Sequence, residues 1–445
     1  MEFTDMSKYD KIELARWVVK KGKQAGADDI SVDVIKDRSI SVDFRDGKME
    51  ELKESSQNYL SLSVYADHRY TSHTTCDLNK DSLEKFISEA VAMTGYLNED
   101  PYRSLPDPKY YKIRNDIDLG IHDDHYYDVT SEQRVKIARD LEAATSALSD
   151  KIVTCNASYS DSRAEFVKIN SNGFEGERQS TYFGVGVETT VKDVHGGRPG
   201  DYDYIGSRFF KDISSLERLG RTAFKRAMQK IGQKKIESGV YDMIVENRAL
   251  TTMLAGIRYP LTGSYLYRKN SCFENKLGEK IASGKLTIID DPYLKAGFSS
   301  QLYDNDGMAT KKRALFEKGV LKSYLIDWYY SRKLNMEPTT GSESNITFAL
   351  GSRSPEEMIR DVKQGIFVTQ FVGGNSNSLT GDFSYGIVGL YVKDGEIVHP
   401  VNEMNISGNI MEIWKNLAEV GNDPYQYSSI MRPSMYFKDV HFSGI

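Results

Sequence analysis

Apolar residues recur along the first half of the chain in two rhythms, and the order in which these rhythms follow one another occurs twice. Lys11 to Ala25 reads as a helix, after which Ile30, Val32 and Val34 alternate with polar neighbours, the period of a strand with one buried face. Asp46-Gly47 marks a turn. A second alternating strand carries Leu60, Leu62 and Val64, and a helix follows in which Leu83, Phe86, Ile87 and Ala90 share a face behind the capping candidates Asp81 and Ser82. The same order returns with a helix over Ser131 to Leu148, a strand with Val153, Cys155, Ala157 and Tyr159 alternating, and a turn at Asn172-Gly173. It closes with Phe183, Val185 and Val187, then an apolar helical stripe of Leu216, Leu219, Ala223 and Ala227. This is the pattern of a duplicated unit, spanning about residues 10–96 and 131–231. An insert distinguishes the second copy: Asp193 to Asp203, containing His195-Gly196-Gly197-Arg198-Pro199-Gly200, reads as a long exposed loop.

From Gly239 the rhythm changes to short apolar strands with tight turns, as in Ala314 to Leu325 around Lys318-Gly319 and Gly389 to Val398 around Asp394-Gly395. Ser238-Gly239 is the expected boundary, because a helix ending near Ile231 and the polar stretch Gly232 to Glu237 precede it. The pattern predicts an α+β fold. Residues 1–238 form a duplicated helix-and-sheet domain, and residues 239–445 a β-rich domain with antiparallel sheets.

Composition narrows the functional classes. A chain of 445 residues, 39% hydrophobic, can bury a sizeable core. No stretch approaches the roughly 18 apolar residues of a membrane span, and Met1 to Asp10 lacks the order of a signal peptide, so a cytoplasmic protein is expected. Cys76, Cys155 and Cys272 lie far apart and read as reduced, buried thiols. A net charge of -6 with mixed signs argues against direct nucleic-acid binding, which draws on a basic face.

Local motifs for catalysis fail one after another. H-E-x-x-H is absent, and His68 and His73 lie five residues apart in or beside a strand, where odd spacing sends side chains to opposite faces. His122-Asp123-Asp124-His125 has ligand chemistry, but its setting beside Tyr126 and Tyr127 suits a solvated turn before the Ser131 helix. His195, His399 and His441 are isolated in sequence. Asp304-Asn305-Asp306-Gly307 resembles the middle of a calcium loop, yet Leu302 and Arg313 would stand where the first and last ligands are required; a turn is the better account. Gly374-Asn375-Ser376-Asn377-Ser378 lacks the second glycine of a nucleophile elbow, and Gly184-Val185-Gly186 lies inside a strand without phosphate-loop context.

The β-rich half does resemble a known family. Lys276 to Ile281, Leu286 to Pro292, Tyr303 to Gly341, Thr380 to Phe383, Asp394 to Val401, Ser407 to Asn409 and Arg432 to Met435 look like the successive signatures of the TldD/PmbA family. In its TldD branch, H-E-x-x-x-H and a late cysteine bind zinc. The matching segment here is Thr252-Met253-Leu254-Ala255-Gly256-Ile257-Arg258-Tyr259-Pro260, and the late segment is Ser434-Met435-Tyr436-Phe437. No ligand remains, so the resemblance implies the PmbA/TldE branch, with no catalytic or metal residue in this chain. It implies a non-catalytic subunit of a two-chain metalloprotease acting on unfolded peptides, with zinc in a TldD-like partner and a homodimer as the alternative assembly. Asp304, Asp306, Arg332 and Gly341 are candidate cleft residues, and Tyr265, Tyr267, Tyr324, Tyr329 and Tyr330 candidate interface residues. Two other readings stay open: a stand-alone peptidase with a metal held by His122, Asp124 and His125, and a non-proteolytic modulator of DNA gyrase.

Overall fold

The computed structural model describes residues 8–193 and 196–445. The two copies fold alike, as helix, three strands, helix. The first comprises α1 (Lys8–Gln24), β1 (Asp29–Arg45), β2 (Lys48–Ala66), β3 (Arg69–Thr75) and α2 (Lys80–Thr94). The second comprises α3 (Ser131–Ser146), β4 (Ile152–Asn170), β5 (Glu175–Val191), β6 (Gly200–Ser207) and α4 (Leu216–Met228). Among the described residues these strands make one antiparallel sheet in the order β3-β2-β1-β4-β5-β6, with β1 and β4 joining the copies at its centre.

Strand parity separates the sheet's two faces. Ile30, Val32 and Val34 of β1, with Leu60, Leu62 and Val64 of β2, are buried together with Leu83 and Ile87 of α2. Cys155, Ala157 and Tyr159 of β4, with Phe183, Val185 and Val187 of β5, pack with Leu141 of α3 and Leu219 of α4. The interleaved positions, Asp37, Gln57, Phe166, Arg178 and Ser180 among them, therefore face away from the helices, toward the second domain.

That domain contains β7 (Gly239–Val245), α5 (Thr251–Arg258), α6 (Gly263–Tyr267), β8 (Ile288–Asp291), β9 (Arg313–Glu317), β10 (Val320–Leu321), α7 (Trp328–Leu334) and β11 (Asn345–Phe348). It continues with α8 (Pro355–Ile359), β12 (Gln364–Ser376), β13 (Asp382–Lys393), β14 (Glu396–Asn409), α9 (Ile410–Ile413), β15 (Leu417–Val420) and β16 (Met435–Ser443). One sheet runs β10-β9-β8-β11; the other runs β14-β13-β12-β7-β16-β15, and an added β14–β16 pairing curls it into a barrel-like ring. Its pairs are antiparallel except β12 with β7, which is parallel and departs from the expected all-antiparallel arrangement. Crossing from β7 to β12 through α5 to α8 supplies the long connection that a parallel pair requires.

Other sequence expectations change. Gly200 to Asp203 is no loop: β6 pairs with β5 from Thr190↔Gly200 onward. His195 lies outside the described residues. Val153 is exposed because a bulge between Ile152 and Thr154 takes it out of the alternation. Cys76 is exposed rather than buried, lying past the end of β3, while Cys155 is buried and Cys272 partly so.

The edge of β6 is held to the second domain by charge. Asp201, 7% exposed, meets Arg226 at 3.2 Å, Lys230 at 3.1 Å and Arg248 at 3.9 Å. Arg226 also pairs with Glu246, just after β7, through a second contact of 2.8 Å. Burial alone would raise the Asp201 pKa, but the neighbouring Arg226 and Lys230 outweigh it and lower the pKa. This cluster, with the Tyr204 hydroxyl donating to the Tyr427 carbonyl at 2.7 Å, joins the domains.

Candidate functional site

The segment aligned by resemblance with a metal-binding helix is α5. Met253, Leu254 and Ile257 anchor it in the core, leaving Thr252, Ala255, Gly256 and Arg258 partly exposed. A Cβ on Gly256 would come within 2.6 Å of Ile410 Cδ1, so glycine lets α5 lie tightly on α9. Arg258 closes the helix and forms a largely buried ion pair with Glu343. Burial lowers the Arg258 pKa, and the charge of Arg432 pushes it the same way.

Behind α5, the late segment is tied down by hydrogen bonds. The Ser434 hydroxyl donates to Asp423 Oδ2 at 2.7 Å and accepts from the Asn247 amide at 2.9 Å, while Asn247 Nδ2 donates to the Asp423 carbonyl at 2.8 Å. Burial raises the Asp423 pKa against these bonds. The residues at this position thus present guanidinium groups, an amide, a hydroxyl and two carboxylates, Glu343 held by Arg258 and Asp423 held by Ser434 and Asn247. Zinc sites are built from three or four imidazole, thiolate or carboxylate ligands, and two carboxylates already engaged elsewhere do not make such a set. Among the described residues, no group of three or more His, Cys, Asp or Glu side chains is placed to hold a metal.

Next to this helix end a polar groove separates the open face of the first sheet from the second domain. One cavity of about 640 Å³ is lined by Asp37, Tyr59, Arg178, Arg208, Ser300 and Glu343. It shares Arg178, Ser300 and Gln301 with a neighbouring cavity of about 530 Å³ that reaches His122 and Tyr303. Glu343 therefore belongs both to the α5 ion pair and to the groove wall.

The candidate cleft residues do not converge on this groove. Asp304 is buried and organises a turn, its Oδ1 accepting from the Asp306 and Met308 amides at 3.0 and 2.9 Å. Burial first, and the Asp306 charge second, raise its pKa. Asp306 accepts from the Trp328 amide at 3.3 Å, and its pKa is raised by burial. Arg332 instead docks the segment between the two copies, donating to Ser104 Oγ at 2.7 Å. Tyr329 does likewise through Asp100 at 2.6 Å. Gly341 is needed for packing, since a Cβ would stand 2.7 Å from that of Asp327.

Among the tyrosines, Tyr324 is buried with its hydroxyl on the Phe273 carbonyl, which removes it as an interface residue. Tyr265 stacks on the exposed Tyr259 at 6.4 Å, and exposed Tyr267 lies 6.0 Å from Tyr330 with Lys333 over its ring. Tyr265 and Tyr267, both on α6, thus each carry one aromatic pair to the surface.

Among the described residues, His122 and His125 line one pocket with Asp124 but form no metal-holding group, and the other histidines lie apart from them. His68 sits in a positive-φ turn before β3, and His73 packs its ring against Phe86. His122 lies 3.7 Å from Asp124, whereas His125 turns to Asp128 at 2.8 Å. Burial lowers the His122 pKa, and the Asp128 hydrogen bond raises that of His125. His399 contacts its neighbouring Pro400 carbonyl at 3.0 Å, and His441 lies on β16 opposite Val240. Sequence reasoning missed Arg178, Arg208 and Asp201; strand parity could have placed Arg178 opposite the core, but Arg208 lies past the end of β6.

Comparison with known proteins matches this architecture throughout. The family models described as PmbA/TldA metallopeptidase domain 1, central domain and C-terminal domain match residues 31–94, 124–231 and 238–444. The chain is 28% identical over 428 residues to the protein named metalloprotease PmbA of Escherichia coli O157:H7, covering 95% of this chain and 93% of that one. It is 26% identical over 303 residues to the metalloprotease TldD homolog of Buchnera aphidicola, covering 62% of each. A Bacteroides thetaiotaomicron crystal structure, titled as that of a suggested modulator of DNA gyrase, superposes with a TM-score of 0.96 at 36% identity, covering 99% of this chain and 100% of that one. TldE from Thermococcus kodakarensis shares the fold, with a TM-score of 0.87 at 18% identity over 97% of this chain and 100% of that one.

Proposed function

Since the chain belongs to the TldD/PmbA metallopeptidase family, we propose that it acts as the metal-free subunit of a two-chain metalloprotease, holding unfolded peptide for a zinc-bearing homologue. The observation that carries this reading is the α5 helix end, where Arg258 pairs with Glu343 and, among the described residues, no group of three or more His, Cys, Asp or Glu side chains is placed to hold a metal. Without a metal there, nothing at that position would lower the pKa of a water for attack on an amide. The zinc and the base then belong to a partner of the kind represented by the TldD homologue, and this chain contributes binding surface. The groove beside α5 gives room for extended peptide, and the aromatic pairs of Tyr265 and Tyr267 are suited to a protein contact.

The test is cleavage of an unfolded protein by this chain, by the zinc-bearing homologue and by both together, each with and without a chelator. Chelator-sensitive cleavage that requires the homologue and rises when this chain is added is the expected result. Cleavage by this chain alone would overturn the assignment.

A further inference from the structure

The groove contains a buried charge with no internal counterpart. Arg208 is 9% exposed, and its guanidinium donates to three backbone carbonyls: Thr181 at 2.9 Å, Gly297 at 3.1 Å and Phe298 at 2.6 Å. Carbonyl dipoles occupy its N–H groups but do not neutralise its charge, and its Nε is buried without a partner. Among the described residues no carboxylate forms an ion pair with it. The charged group that acts on it is another cation, Arg178, so burial first and Arg178 second push the Arg208 pKa down to about 10.

Arg178 is half-buried in the same wall. It lies over Phe166 at 4.7 Å, donates to Gln301 Oε1 at 3.3 Å and lines three adjoining cavities. Among the described residues, none of the acids that line these cavities, Glu177 included, forms an ion pair with Arg178 or Arg208. Asp37 stands two strands away on β1, Glu343 is engaged by Arg258, Glu165 by Lys11 and Arg163, Asp124 lies beside His122 and Asp118 accepts from the Gly120 amide. Arg178, whose polar partner is Gln301, offers the guanidinium fork that is complementary to a planar carboxylate in a recess rimmed by Ser180, Ser299 and Ser300, and Arg208 in the same wall adds its charge to the attraction. An uncompensated buried cation is costly, and a bound carboxylate would offset that cost.

We propose that Arg178 and Arg208 form a carboxylate-binding end of the interdomain groove, which takes a peptide by its C-terminal or acidic side-chain carboxylate. This rests on the peptide-holding reading and gives it a polarity: the carboxylate is fixed beside β5, and the rest of the peptide runs along the groove toward the α5 end.

The experiment titrates the full chain with a short, unstructured, N-acetylated peptide bearing one internal Glu and a free C-terminus. Parallel arms use the C-terminal amide, the Glu→Gln peptide and the peptide with both changes. Removing both carboxylates is expected to weaken binding about tenfold or more, the range of a charge-assisted hydrogen bond; the single changes tell which carboxylate is held. Arg178→Gln should cause a comparable loss and make binding indifferent to amidation, while Arg178→Lys retains part of it. Because Arg208 also bridges the domains, Arg178→Gln is the decisive variant, with unchanged circular dichroism as its folding control. Equal affinity with and without carboxylates, or no effect of Arg178→Gln, overturns the anion site and leaves the peptide-holding reading intact. No binding of any of these peptides, alone or with the zinc-bearing homologue, overturns both.

Discussion

At the β6 edge Arg226 is buried between two carboxylates, Asp201 and Glu246, whereas Arg208 in the groove is buried among carbonyl oxygens with another arginine for its charged neighbour. Both bridge the same two domains. The difference separates charge used to hold the fold from charge left available. In the first place every ion has its opposite within the chain, and nothing remains to attract a ligand. In the second, hydrogen bonds fix the group while its charge remains unmatched.

The largest effect should come from breaking the matched cluster. Asp201→Ala leaves Lys230 without its carboxylate and Arg226 and Arg248 with only Glu246 and Asp203, and chemical denaturation should show a loss of about 3–5 kcal/mol, typical of removing one member of a buried ion pair. Its pH dependence sharpens the contrast. The Asp201 pKa is lowered on folding, so its stabilisation is present above the unfolded value of about 3.9 and disappears as pH falls through the lower folded value. Asp201→Asn should flatten that acid limb of the stability curve. Asp304 and Asp306 act with the opposite sign: their raised pKa values make the native state hold protons longer, so their contribution declines as pH rises from about 4.

A core substitution without charge gives the reference scale. Leu62→Ala, at a fully buried position of β2, should cost about 2–5 kcal/mol by the same denaturation measurement with no change in pH profile. Ser434→Ala removes a buried donor to Asp423 and an acceptor for Asn247, and about 1–3 kcal/mol is expected. The smallest stability effect belongs to the surface aromatic pairs. Tyr267→Ser should stay within about 0.5 kcal/mol in unfolding and, on the proposed two-chain assembly, weaken association with the homologue by about 1–2 kcal/mol in a titration.

Much of the fold was legible because burial follows period. The even positions of β1 and the odd positions of β5 showed their buried faces directly, and the repeated order of rhythms exposed the duplication. Strands at the sheet edges were harder to read. Arg69–Thr75 of β3 has no apolar alternation, and Gly200–Ser207 of β6 begins inside a Gly- and Pro-rich stretch. Both are recruited by the backbone edge of a neighbouring strand, a signal carried by the partner and not by their own side chains. The groove was hidden for a related reason. Arg208 gains its setting from carbonyls of Gly297 and Phe298, far along the chain, and Arg332 lost its expected place in a cleft to the contact with Ser104. Local spacing does not encode encounters of this kind.

The ring closed by β14 and β16 has a consequence for synthesis. Strand β7 is the first of that ring to leave the ribosome, yet both its sheet neighbours come much later, β12 at Gln364 and β16 at Met435. The first domain has all six of its strands in hand by Ser207 and can pair them early. During translation the second domain must carry an apolar strand with both edges open, the condition in which nascent chains associate wrongly. Its period of greatest vulnerability is therefore before release, when its partner strands have yet to be made.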